Sequence, residues 1–196
     1  MKNFEENYLF SISKQFEYYK LLGERTFDQL EEKELFERPN EASNSIAVMV
    51  NHLWGNMMSR WTDFLSADGE KEWRQRDLEF EDVIQNKKEM LQKWNEGWEC
   101  LFRAIHSVHV DNFDTEIYIR NQGHSITEAI NRQLAHYAYH VGQIVYVGRM
   151  IRNTDWKCLS IPKGKSDEFN ADKFSKAKHK AHFTDEFLKD QAGSKA

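Results

Sequence analysis

The sequence predicts an all-α protein built as a four-helix bundle, with a long connection between its second and third helices and a C-terminal strap. Four segments of roughly 20 to 27 residues carry apolar residues at the three-and-four spacing of an amphipathic helix. Only two prolines and nine glycines occur in 196 residues, so few tight turns are expected. With 40% hydrophobic and 13% aromatic residues, the chain can bury a substantial core.

The first two helices are predicted at residues 4–30 and 46–65. Pro39 stops any helix in the charged segment between them, because the residue before a proline disfavours helical backbone. Residues 43–45 (Ser-Asn-Ser) supply side chains that can cap the second helix. The apolar stripe of that helix consists of Ile46, Met49, Val50, Leu53, Met57, Trp61 and Phe64.

The third and fourth helices are predicted at residues 80–106 and 126–153. A highly charged linker, residues 70–79, precedes the third helix. Residues 116–126 could form either a short hairpin or an extended loop. The capping box Ser-Ile-Thr-Glu128 then opens the fourth helix.

The composition changes after the fourth helix. Residues 159–162 (Leu-Ser-Ile-Pro) are predicted to form an ordered strap over the bundle. The sequence therefore divides into a bundle with its strap, residues 1–174, and a lysine-rich, mobile tail, residues 175–196. We expect His179 and His182 in the tail to be solvated.

Composition argues against several classes of protein. The formal net charge of -5 gives no reason to expect nucleic-acid binding. No apolar run approaches the roughly 20 residues needed to span a bilayer, and the N-terminus lacks the apolar block of a signal peptide. Cys100 and Cys158 are too few and too far apart for a disulfide framework, so we expect two reduced thiols in a cytoplasmic protein. The expected partner is a small-molecule substrate, and the sequence leaves a homodimer open.

Two histidines on the fourth helix are the first candidates for a metal site. His136 and His140 are four residues apart, so their side chains leave the same face of the helix and could converge on one ion. Together with Gln133 and Gln143 they form a polar lane beside the apolar stripe. Two histidines packed at a helix–helix seam would give the same pattern, so a third ligand is needed to decide.

His52, on the second helix, is ambiguous from its own pattern. The helical wheel places it near Asn56, Ser59 and Asp63, on the polar side of the helix. Periodicity alone therefore favours a surface histidine. The alternative is that this polar side faces the polar lane of the fourth helix across a water-filled pocket.

Motifs on these two helices resemble a known superfamily. Asn51-His52-Leu-Trp-Gly-Asn56 and His136-Tyr-Ala-Tyr-His140-Val-Gly-Gln143-Ile are similar to motifs of the DinB (DinB/YfiT-like) metal-binding four-helix bundles. The chain resembles more closely the uncharacterised bacterial branch named domain of unknown function 1572 (DUF1572). Further similar motifs are Tyr118-Ile-Arg120, Gly123-His124, Ala129-Ile-Asn-Arg132-Gln and Leu159-Ser-Ile-Pro162. The resemblance covers residues 4–174.

The resemblance implies an up-up-down-down bundle with a divalent metal ion near one end. Carried over residue by residue, the metal ligands are His52, His136 and His140. Asn56 and Gln143 could orient a ligand or a bound water, although simple helix packing explains them equally well. The superfamily includes low-molecular-weight-thiol transferases and a thiol-dependent isomerase.

Three neutral imidazoles suit zinc, nickel, iron or manganese and leave at least one coordination position open. An open divalent ion acidifies a bound water or thiol, so the expected chemistry is hydrolysis or transfer of a thiolate. We predict a metal-dependent transferase that activates a low-molecular-weight thiol. The alternatives are a non-catalytic, stress-related metal-binding module and a metal-dependent hydrolase.

A locally basic stretch bears on the substrate. Residues 117–153 contain one acid, Glu128, and four arginines, which are Arg120, Arg132, Arg149 and Arg152. The first two could hold the carboxylate of an anionic thiol. The last two could instead complement the negative end of the helix dipole. His124, near the start of the fourth helix, could serve as an acid or base.

Overall fold

The computed structural model describes residues 3–189 and is mostly helical, which confirms the all-α prediction. Its six helices are α1 (Phe4–Phe27), α2 (Ile46–Trp61), α3 (Lys87–His106), α4 (Ile126–Arg152), α5 (Ser166–Phe174) and α6 (Asp185–Leu188). The strands β1 (Ile117–Ile119) and β2 (Gln122–His124) pair in an antiparallel hairpin. Of the helices described, none has the length and apolar character needed to cross a membrane.

Side-chain caps set the starts of the four long helices. Asn3 and Ser125 each take part in a capping box, at α1 and α4 respectively, and the second of these boxes is the one predicted from the sequence. Ser45 and Asn86 accept a hydrogen bond from a backbone N–H in the first turn of α2 and of α3. Each such bond satisfies an amide that would otherwise lack a partner within the helix.

The connection between α2 and α3 is longer than predicted. α2 ends at Trp61 rather than at residue 65, and α3 begins at Lys87 rather than at residue 80. A 3-10 turn, Arg76–Phe80, occupies part of the intervening chain. Asn86 has an extended backbone, with φ -159° and ψ 165°, so it caps α3 and separates that helix from the turn.

The four long helices pack pairwise around one core. α2 packs against α3 and α1 against α4, while further contacts join α2 to α4 and α1 to α3. At the centre, the rings of Phe16, Trp98 and Tyr137 are fully buried, with centroids 5.8 to 6.3 Å apart. Burial of one large apolar side chain stabilises a fold by about 1.5–3 kcal/mol, so this core stabilises the protein without a bound ion.

The hairpin is held against the α2–α3 connection by Asp68. The two carboxylate oxygens of Asp68 accept hydrogen bonds from the backbone N–H groups of Arg120 and Asn121, both at 2.8 Å. These turn residues have φ of 56° and 60°, a left-handed conformation that costs energy for residues with a side chain. The stretch that the sequence left as hairpin or loop is therefore a hairpin, in which Ile117 pairs with His124.

The C-terminal segment packs on α1. His182 Nε2 lies 3.1 Å from Ser11 Oγ, and Arg25 donates a hydrogen bond to the carbonyl of Phe187 at 3.1 Å. The ring of Phe187 lies 5.1 Å from that of Tyr18. The prediction that His182 is solvated is wrong, because the residue is half-buried and its ring contacts Ser11 and the ring of Phe10 on α1.

The division into a bundle (residues 1–174) and a mobile tail (residues 175–196) stays a prediction. In the described part of the predicted tail, α6 contacts α1, and His179 is exposed. Residues 190–196 lie outside the described residues. Just before the predicted strap, the backbone of Lys157 exchanges hydrogen bonds of 2.7 and 3.2 Å with the side chain of Gln29.

Candidate metal centre

Three histidines from two helices meet beside the core. His52 comes from α2, and His136 and His140 come from α4; one ligand atom of each lies within 4.8 Å of the others. His52 Nε2 and His136 Nε2 are 3.3 Å apart. Two nitrogens bound to one tetrahedral ion at 2.0–2.1 Å would be separated by about 3.3–3.4 Å, so this pair already has the spacing of metal ligands.

The expectation from periodicity that His52 lies on the surface is wrong. Only 4% of the residue is exposed. The polar side of α2 faces the polar lane of α4, as in the alternative derived from the wheel, and the α2–α3 connection covers it. The ring of Phe80 stacks on that of His52, with centroids 4.6 Å apart and an angle of 26° between the planes.

A buried carboxylate orients His52. The Nδ1 atom of His52 donates a hydrogen bond to Glu79 Oε2 at 2.8 Å. Arg74 holds the same carboxylate, with Nε 2.7 Å from Oε1 and Nη2 2.9 Å from Oε2. Burial would raise the pKa of Glu79, but the hydrogen bonds from His52 and Arg74 outweigh it and lower that pKa. The ionised carboxylate keeps the proton on Nδ1 and turns the Nε2 lone pair toward the other two histidines.

The motif around His52 also fixes the segment that carries Glu79. The side chain of Asn51 donates a hydrogen bond to the backbone carbonyl of Glu79 at 3.1 Å. A Cβ atom at Gly55 would lie 2.4 Å from Glu79 Oε1, so only glycine leaves room for the carboxylate. Three residues of the Asn-His-Leu-Trp-Gly motif thus serve one purpose, which is to seat Glu79 on α2.

Gln143 and Asn56, the two predicted supporting residues, have different contacts. Gln143 Oε1 accepts a hydrogen bond from His140 Nδ1 at 2.8 Å, which leaves the Nε2 lone pair of His140 available. Asn56 Oδ1 instead accepts from the hydroxyl of Tyr137 at 3.0 Å. Asn56 touches no histidine through a hydrogen bond, but it lines the cavity above them.

A cavity of about 320 Å³ opens over the histidines. Besides the histidines, its wall contains five arginines, two amide side chains and one aromatic ring: Arg60, Arg74, Arg76, Arg120, Arg132, Asn56, Gln133 and Phe80. The carboxylate of Glu70 forms ion pairs with three of these arginines, at N–O distances of 2.9 to 3.3 Å. The cavity is therefore strongly basic, although the whole chain carries a net charge of -5.

The four arginines singled out from the sequence separate into two groups. Arg120 and Arg132 line the cavity, whereas Arg149 and Arg152 do not. Arg152 instead lies 3.8 Å from Glu34. His124 Nε2 lies 3.4 Å from Arg132 Nη1 and accepts from it, and His124 is absent from the cavity wall.

Sequence reasoning missed Glu79, Arg74 and Phe80. All three fall in or next to residues 70–79, which the sequence predicts to be a highly charged linker. One signal could have revealed their role: Gly55 lies inside α2, three residues after His52, and a glycine inside a helix usually has a packing reason, such as close approach of another segment.

A family model described as "Protein of unknown function (DUF1572)" matches residues 3–165. The chain belongs to the DUF1572 family. Neither a curated protein nor a solved structure matches it. The matched region contains every residue of the histidine cluster and of the cavity, whereas α5 and α6 lie outside it.

In this DUF1572 protein two of the histidines are neutral at physiological pH. Burial lowers the pKa of His136 to about 3, and the neighbouring imidazoles and arginines act in the same direction. Burial and His52 lower the pKa of His140 to about 4. A neutral imidazole has a lone pair free for a metal ion, so binding does not first have to displace a proton.

The stability of the metal-free DUF1572 protein is expected to fall as the pH is lowered below about 6.5. His136 and His140 have lower pKa values when folded than when unfolded, so the unfolded chain takes up protons first. Their contribution to the stability of the folded protein is complete above the unfolded pKa of 6.5. It is lost as the pH falls through the folded pKa values of about 4 for His140 and about 3 for His136. Each histidine adds a slope of at most about 1.4 kcal/mol per pH unit, reduced by solvent because both rings are only half-buried.

Chemical denaturation at pH 7.5, 6.5, 5.5 and 4.5 measures this slope. The double variant His136→Gln, His140→Gln should have a flatter profile than the wild type. An identical slope in the two proteins would contradict the prediction.

Proposed function

We propose that this protein binds a divalent metal ion as DinB proteins do and uses it to activate a low-molecular-weight thiol for transfer to an electrophile. The observation that carries the proposal is the meeting of His52, His136 and His140, with ligand atoms within 4.8 Å of one another. Within residues 3–189 no cysteine, aspartate or glutamate joins this group. Three protein ligands leave a coordination position for a substrate, the feature of catalytic rather than closed structural centres.

The three histidines would hold zinc, nickel, iron or manganese, all of which accept imidazole. When bound, such an ion supplies Lewis acidity, which lowers the pKa of a thiol or water in its open position. Glu79 and Gln143 keep the Nδ1 protons of His52 and His140 in place, so that the lone pairs of both rings remain directed at one point.

The charge of the cavity supports an anionic substrate. Glu70 and Glu79 offset two of the five arginine charges in and around the wall, so an excess of three positive charges remains. Such a cavity attracts a carboxylate-bearing thiol and can bind its carboxylate through charged hydrogen bonds. Of the two arginines singled out from the sequence, Arg120 is already paired with Glu70, so we assign the carboxylate to the part of the wall that Arg132 lines.

We also propose that the four long helices form the up-up-down-down bundle that the DinB resemblance implies. The support is the length of the connections: α1–α2, α2–α3 and α3–α4 are joined by 18, 25 and 19 residues. Connections of this length can run beside a helix and allow successive helices to point the same way.

A cobalt-loaded sample tests the proposed function. Titration with cysteine should produce a sulfur-to-metal charge-transfer band in the near ultraviolet, with release of a proton, because the thiol binds as thiolate. S-methylcysteine, which has no thiol, is the matched control ligand and should give no band. If no thiol changes the cobalt spectrum at millimolar concentration, the transferase proposal fails.

The same sample separates the alternatives. Metal-dependent cleavage of generic ester or amide substrates, absent in His136→Ala, would favour the hydrolase. A protein that binds metal tightly, yet neither takes a thiol nor cleaves these substrates, would favour the non-catalytic module.

A further inference from the structure

Within the described part of the chain, the cavity wall includes a side-chain oxygen without a hydrogen-bond partner. Gln133 lies one turn before His136 on α4, is 4% exposed, and lines the cavity. Its Oε1 atom is buried without a hydrogen bond to any residue from 3 to 189. A buried amide oxygen left unbonded is costly, so proteins retain one mainly where a ligand or an ordered water completes it.

A donor in the same wall also lacks a partner. Arg60 is 6% exposed, and its Nη1 atom bonds the carbonyl of Gly69 and the carboxylate of Glu70. Its Nε–H group, however, is buried and unbonded within the described chain. Two residues of the cavity wall thus carry one unsatisfied acceptor and one unsatisfied donor, the two groups that a secondary amide would complete.

Two arginines lining the cavity are unpaired with any carboxylate of the described chain. Arg76 and Arg132 are both exposed, and neither lies within ion-pair distance of a carboxylate among residues 3–189. Arg76 lies over the ring of Phe80 at 5.3 Å, and Arg132 Nη1 lies 3.4 Å from His124 Nε2. Their charges therefore remain available for an anion.

The charge of the cavity also disfavours ligands that carry an ammonium group. An excess of three positive charges repels an ammonium group, so a free amino acid is disfavoured relative to its N-acylated form. The volume of about 320 Å³ is at the small end of ligand pockets. The ligand is thus a small metabolite rather than a peptide chain.

We propose that the thiol of this centre is an N-acylated amino-acid thiol. Its carboxylate binds Arg76 and Arg132, its amide N–H donates to Gln133 Oε1, and its amide carbonyl accepts from Arg60 Nε–H. The thiol itself rests on the proposed function, whereas the recognition of the amide and the carboxylate rests on the cavity alone.

Four commercial thiols test the recognition on the cobalt-loaded protein. N-acetylcysteine has all three groups, 3-mercaptopropionate lacks the amide, N-acetylcysteamine lacks the carboxylate, and cysteine carries an ammonium. N-acetylcysteine is expected to bind about tenfold more tightly than each of the others, the difference that one charged or well-formed hydrogen bond makes. Equal affinities for the four would overturn the proposal.

Two variants assign the contacts. Gln133→Met should remove the preference for N-acetylcysteine over 3-mercaptopropionate, while the ligand-free protein becomes no less stable, because the unbonded amide is gone. If Gln133 had a purely structural role, the substitution would instead lower the stability of the protein and leave the ligand preference unchanged. Arg132→Met should weaken binding of the three thiols that carry a carboxylate about tenfold. Arg149→Met, an exposed arginine of the same helix outside the cavity, is the matched control and should change neither.

A ligand without sulfur separates this inference from the proposed function. N-acetylalanine should bind the metal-free wild-type protein in calorimetry, and Gln133→Met should weaken that binding. Binding of N-acetylalanine without any thiol band would support the recognition and defeat the thiol chemistry. A thiol band that is indifferent to the amide, to Gln133 and to N-acetylalanine would defeat the recognition and leave the thiol chemistry intact.

Discussion

Replacing His136 with alanine is expected to abolish stoichiometric metal binding while the protein keeps its helices. His136 Nε2 lies 3.3 Å from His52 Nε2, the spacing of two nitrogens on one ion, so its loss removes a direct ligand. Loss of a residue that merely supports a ligand costs about 10–100-fold in affinity, and loss of the ligand should cost more than the upper value. The aromatic core around Phe16, Trp98 and Tyr137 needs no ion, so the fold should persist.

Elemental analysis and circular dichroism of protein purified without a histidine tag measure both parts of this expectation. His179→Ala, which removes an exposed histidine outside the cluster, is the matched control and should retain its metal. Loss of helix together with loss of metal in His136→Ala would show that the ion is structural. Full metal content in that variant would show that the three histidines are not the site.

Glu79→Gln is expected to destabilise the metal-free protein by about 3 kcal/mol, because removing one partner from a buried ion pair leaves Arg74 with only Glu70, which it shares with Arg60 and Arg120. The side chains of Arg74 and Glu79 are 2% and 7% exposed, so water cannot replace the lost charge. The substitution also releases the Nδ1 proton of His52, and metal affinity should fall about 10–100-fold.

Glu81→Gln changes an exposed carboxylate two residues away and is the control for Glu79→Gln. Urea denaturation measures stability, and competition with a chelator of known affinity measures metal binding. Gly55→Ala should have the same effect from the opposite side, since its Cβ would lie 2.4 Å from Glu79 Oε1 and displace a carboxylate that Arg74 holds. If Glu79→Gln is as stable as Glu81→Gln, the buried pair does not support the centre.

The features that the sequence predicts well have causes that lie close together along the chain. Ser125 and Glu128 form the predicted capping box because a cap involves residues only three positions apart. His136 and His140 share a face because four residues make about one helical turn. The start of α3 was misplaced because the apolar pattern continues through Phe80 and Ile84, while the extended backbone at Asn86 breaks the helix.

Only the tertiary structure decides which polar groups are buried together. His52 and His136 are 84 residues apart in sequence, and His52 and Glu79 are 27 apart, so no local period relates them. The wheel correctly places His52 on the polar side of α2, but it cannot show that this side faces α4 rather than water. A charged run such as residues 70–79 has the same composition whether it is solvated or folded over a cavity. Burial depends on packing between distant segments, and for that reason the histidine pair could be identified from spacing, whereas Arg74, Glu79 and Gln133 acquire their roles only in the folded protein.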